Sequence, residues 1–84
     1  MYDVRFLKSA QKDMAALPRN VADKIAKKAA TLSDDPRPPG CLKLKGFNDL
    51  WRIRVGDYRV IYSIQDQILL VHVVKVAHRR QAYD

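Results

Sequence analysis

The chain has 84 residues, 48% of them hydrophobic, and its 16 Lys plus Arg against 9 acidic side chains give a formal charge of +7. That length builds one small core and not two, so a single domain over residues 1–84 is expected, and the apolar share excludes a disordered chain. The lone cysteine, Cys41, excludes an internal disulfide and a cysteine-based zinc site and fits a reducing compartment.

Every acidic residue is Asp, and the basic residues are spread over both halves of the chain. Such a balance suits nucleic acid, an anionic surface or an acidic protein partner without ranking them. Residues 3–7 alternate well enough for a short first strand. Ser9 is placed to cap a helix running to about Leu17, with Ala10, Met14 and Leu17 on one face. Pro18 breaks that helix and can begin a second, to about Leu32, whose apolar stripe is Val21, Ile25, Ala29 and Leu32. Lys24, Lys27 and Lys28 point away from the stripe and read as a solvated face. Ser33 to Gly40, with three prolines, is a stiff loop too short to link domains.

From Cys41 to Ala77 the chain is strand-like. Residues 50–62 form two alternating runs around Gly56-Asp57, a hairpin signal that sets Arg54 opposite Arg59. Arg52 and Arg54 share one strand face, and Trp51, Ile53 and Val55 the other. Facing like charges destabilise a ladder by roughly 0.2–1 kcal/mol, so an anionic partner is expected for these guanidiniums; a merely solvated basic face is the alternative. Residues 68–76 are nearly all apolar and predict a central strand buried on both faces, with His72 a core histidine. The order is β-α-α-β-β-β, an α+β fold with two helices packed on one face of an antiparallel sheet. The opening residues 1–5 carry no apolar leader, and no apolar run approaches the roughly 18 residues of a membrane span, so a cytoplasmic protein with no membrane contact is expected.

If the helices cover one face, Arg52, Arg54 and Arg59 lie on the other, with His78, Arg79, Arg80 and Tyr83 just beyond the last strand. Guanidiniums grip phosphate bidentately and keep their charge. Aromatic rings stack on unpaired bases. These are the parts of RNA cleavage without a metal: a base for the ribose 2′-hydroxyl, cations for the charged phosphorane and a donor for the leaving 5′-oxygen. No residues have metal-ligand spacing and no Gly-rich phosphate loop occurs, so no metal and no cofactor is expected.

Leu42-Lys43-Leu44-Lys45-Gly46, the run from Trp51 to Tyr62, and Val76-Ala77-His78-Arg79-Arg80 with Tyr83 together resemble the RelE/ParE toxin superfamily over nearly the whole chain. The resemblance implies a RelE-like fold and the toxin of a type II toxin–antitoxin system, a ribosome-dependent messenger-RNA interferase neutralised by an acidic RelB-like antitoxin in a hetero-oligomer. It implies catalytic roles for Arg52, Arg54, Arg59, Arg79 and Tyr83, with Lys43, Lys45, Arg52 and Arg80 binding RNA. Arg59 stands where the family carries a phosphate-binding arginine, and His78 where some members carry lysine. With arginine at both hairpin positions no lysine remains there as general base, and arginine, with a pKa near 13, is a poor one. His78 becomes the candidate base, provided that it and not Arg79 faces the cluster; a bulge in the preceding turn would swap the two. The alternatives are a ParE-like inhibitor of gyrase and an RNA-binding module that does not cut.

Overall fold

The computed structural model describes residues 1–46 and 49–80. In chain order the elements are β1 (Asp3–Phe6), α1 (Lys8–Ala15), α2 (Arg19–Ala30), a 3-10 turn (Thr31–Ser33), β2 (Leu42–Lys43), β3 (Leu50–Val55), β4 (Tyr58–Gln65), a second 3-10 turn (Asp66–Ile68) and β5 (Leu70–His78). The five strands form one sheet in the order β1-β5-β4-β3-β2. The α+β class and the two-helix order hold, but the sheet is mixed: β1 runs parallel to β5. The two-residue strand Leu42–Lys43 accounts for the difference. A chain that reverses at every connection puts its first and sixth elements antiparallel; the extra strand makes β5 the seventh, and parallel.

Both helices lay their apolar stripes on one sheet face. Ala10, Ile25 and Leu32 meet Ile53, Val60, Tyr62, Val71, Val73 and Val76 in one cluster, edged by Val4, Phe6, Trp51 and Val55. Pro18 sits at the N-cap of α2, its carbonyl accepting from the N–H groups of Val21 and Ala22. Ser9 does not cap α1. Leu7 occupies that position, and the Ser9 hydroxyl reaches across to the carbonyl of Val74 at 2.6 Å.

The loop after α2 is locked by polar contacts. Arg37 grips Asp66 through both guanidinium nitrogens (3.2 and 2.9 Å) while Tyr2 donates to the same carboxylate at 2.6 Å. Two hydrogen bonds from Arg37, then one from Tyr2, hold the Asp66 carboxyl down at about 2. The Arg37 guanidinium also lies 5.0 Å from the centroid of the Trp51 ring, and the buried Tyr62 hydroxyl donates to the carbonyl of Pro36.

The last strand departs from expectation twice. It starts at Leu70, because Asp66–Ile68 turns and Leu69 takes a left-handed conformation (φ 51°). Its second face is buried only in part: Val71, Val73 and Val76 are buried among the helices, whereas on the opposite face Ala77 is buried but His72 and Lys75 are half-buried, with Arg5 and Ser63 flanking His72. Between Val73 and Lys75 the register slips: Tyr62 pairs with Val73 but Ile61 pairs with Lys75. Val74 is the extra residue of a β-bulge.

Candidate functional site

The Gly56-Asp57 turn closes β3 on β4 with Gly56 at φ +59°, and it sets Arg54 directly opposite Arg59. A positive φ at the first loop position suits a two-residue hairpin turn, and it favours glycine. Arg52 lies two residues upstream on the same face, opposite Ile61, while Val60 and Ile53 pair on the helix side. This face is not uniformly open. Ile61 is fully buried and Arg52 is only 8% exposed, whereas Arg54 is exposed.

Arg79 completes the group. Its N–H donates to the Asp57 carbonyl at 2.8 Å, extending the β4–β5 ladder by one residue, and its guanidinium stands 3.9 Å from the Asp57 carboxylate. Burial, and then repulsion from Arg54, Arg52 and Arg79 in that order, push the Arg59 guanidinium below its ordinary pKa. Arginine titrates so far above neutrality that it stays a cation. Three guanidiniums, two from β3 and one from just beyond β5, therefore act on Arg59 of β4 at one end of the sheet. Such a site favours a ligand carrying concentrated negative charge.

The other expected residues are placed elsewhere. His78 pairs with Tyr58, its ring edge-on to the Tyr58 ring at 5.5 Å between centroids. Together they line a cavity of about 200 Å³ with Asp13, Ala16 and Leu17 of the α1 region. His78 is thus on the helix side of the sheet, and the arginines are on the other. Of the two arrangements that alternation left open, His78 or Arg79 toward the cluster, the bulge at Val74 selects the second, handing the arginine face to Ala77 and Arg79. Arg80 is exposed in the turn that follows, and Lys45 in the turn after β2. Lys43 pairs with Trp51, its ammonium 5.9 Å from that ring's centroid, so it too sits on the helix side. Tyr83 lies outside the described residues.

Two features escaped the sequence reading. Lys28 lines a cavity of about 200 Å³ with Pro39, Gly40, Ile53 and Arg54, between α2, the loop that follows it and β3. The bulge had a signal as well: in Val71, Val73 and Val76 the apolar spacing breaks from two to three, at Lys75.

A sequence model described as the ParE toxin of type II toxin–antitoxin systems, parDE, matches residues 4–83. The toxin RelG of Mycobacterium tuberculosis is 30% identical, over 98% of this chain and 95% of its own length. The mRNA interferase toxin RelE of Escherichia coli K12 is 28% identical, over 96% and 86%. Among solved structures, the archaeal RelE-RelB complex from Pyrococcus horikoshii superposes with a TM-score of 0.81 at 31% identity, covering 96% of this chain and 98% of that one. In sequence and in fold alike, the chain belongs to the RelE/ParE family of toxins.

Proposed function

We propose that this chain is the toxin of a type II toxin–antitoxin pair and cleaves messenger RNA on the ribosome. The observation that carries the reading is the convergence of Arg52, Arg54, Arg59 and Arg79 on one sheet face. A relative over nearly the full length is an mRNA interferase. In this reading the scissile phosphate docks on Arg59, with Arg54 and Arg79 beside it. The ribose 2′-hydroxyl gives up its proton as its oxygen attacks phosphorus, the bond to the 5′-oxygen breaks and that oxygen takes up a proton, so the products are a 2′,3′-cyclic phosphate and a 5′-hydroxyl. No water or metal takes part in that displacement. The guanidiniums align the three reacting centres and hold the charge that grows on the phosphorane, the kind of preorganised stabilisation that dominates many enzymes.

Neutralisation falls to an acidic RelB-like antitoxin, in keeping with the complex that a similar fold forms with RelB. The ParE description favours a second reading, inhibition of gyrase by protein contact, but a contact inhibitor has no need of an arginine set among three others that repel it. Incubation with translating ribosomes followed by mapping of messenger-RNA ends decides. Cuts within codons in the ribosomal A site, ending in cyclic phosphate, are expected. Intact messenger RNA together with loss of gyrase supercoiling would establish the second reading.

A further inference from the structure

The arginine site depends on a choice made far from it along the last strand. Upstream of the bulge β5 alternates with Val71 and Val73 toward the helices; downstream, Val76 and His78 take that side and Ala77 and Arg79 the other. Without the extra residue Val74, Ile61 would pair with Val74 and Val60 with Lys75. Lys75 would enter the core, and His78 and Arg79 would exchange faces. One inserted residue flips every side chain beyond it.

This bulge lies where β5 loses a neighbour. β1 pairs with β5 as far as Val73, and the Leu7 N–H makes the last backbone bond, to the carbonyl of Val73 at 2.9 Å. Beyond that point α1 takes over with side chains. The Ser9 hydroxyl donates to the carbonyl of Val74 (2.6 Å) and the Asp13 carboxylate accepts from the N–H of Val76 (2.9 Å). Ser9 and Asp13 are four residues apart and so lie on one helix face, and they bracket the bulge from either side. Ser and Asp in these places do nothing for α1 itself: neither caps it, and both are poorer helix formers than Ala.

We propose that Ser9 and Asp13 are positioning residues of the RNA-cleaving site, holding the β5 bulge so that Arg79, and not His78, faces Arg54 and Arg59. The inference rests on the endoribonuclease reading, although the register it describes can be measured without any activity. The partners are backbone groups, so the clamp acts on the strand itself. It acts on chemistry only through the side chain that the strand then presents.

A double-mutant cycle on ribosomes tests this. Asp13→Ala is expected to lower kcat by tenfold or more with little change in KM, because misplacement by about 1 Å can cost as much as a hundredfold. Asp13→Asn keeps an oxygen for the Val76 N–H and should restore most of the rate. Asp13→Ala combined with Arg79→Ala should be no slower than Arg79→Ala alone, since independent losses multiply and dependent ones do not. Multiplied losses, or a slow Asp13→Asn enzyme, overturn the proposal. The second measurement is the NMR through-space contact between the His78 and Tyr58 rings, whose centroids lie 5.5 Å apart. A chemical shift alone would not serve, because Asp13 lines the same cavity as His78. The contact should be lost in Ser9→Ala/Asp13→Ala, as His78 changes face, and kept in the core variant Ile25→Val. A retained His78–Tyr58 contact in a folded double variant refutes the clamp even if the chain cleaves no RNA; the absence of cleavage with a lost contact refutes only the endoribonuclease reading.

Discussion

Arg59 is where charge and shielding meet, because burial and three neighbouring guanidiniums all act on it. A cation held among such neighbours is well placed for an incoming phosphate. Arg59→Ala should therefore keep its circular dichroism spectrum while cleavage falls by about 10²–10³, the loss typical of one removed oxyanion donor, about 2.7–4 kcal/mol. A folded and fully active Arg59→Ala protein would contradict the phosphate role. His78 should behave in the opposite way. Its ring faces Tyr58 and the α1 region, so His78→Gln should cleave at close to the unaltered rate with an unchanged pH profile. A fall of about 10²–10⁴, as when a general base is removed, would return the histidine to the chemistry. Single-turnover rates of both variants across pH decide the two cases.

At the scale of elements, the alternation around Gly56-Asp57 made the hairpin and its Arg54–Arg59 pairing legible, because period two and a turn dipeptide are local signals. The apolar stripes of both helices were legible for the same reason. The parallel β1–β5 pairing was not, since it depends on a two-residue strand with no periodicity to read. Nor was the use of Ser9, whose partner lies 65 residues away; a serine before an apolar run reads as a cap whatever its hydroxyl finally meets. The Arg37–Asp66–Tyr2 contact is equally non-local, and it carries a pH dependence. The Asp66 carboxyl titrates at about 2 in the fold against an ordinary 3.8. A lowered folded value gives stability that is complete above the unfolded pKa and is lost as pH falls through the folded one. Between pH 4 and 2 the unaltered chain should thus lose a stabilisation that Asp66→Asn lacks throughout. Melting temperatures of the two should lie furthest apart near neutrality and converge toward pH 2; a constant gap would exclude the linkage.

For the molecule as a whole, a net charge of +7 implies an acidic partner that arrives under electrostatic steering. Association with the antitoxin should slow steeply as salt rises, with dissociation much less affected, and the bound antitoxin should protect messenger RNA. Stopped-flow rates at several ionic strengths measure the first, and end mapping the second. Equal association rates at low and high salt would remove charge from the account. The sheet order has a consequence in time as well. Among the described residues, β1 has a single neighbour in the sheet, and that neighbour is the last strand to be made. As the chain leaves the ribosome, its first strand waits unpaired until residues 70–73 emerge, and Arg79 emerges later still. The nascent polypeptide therefore cannot assemble its arginine site until residue 79 has emerged, so an unfinished chain carries the hairpin arginines without the one that completes the group.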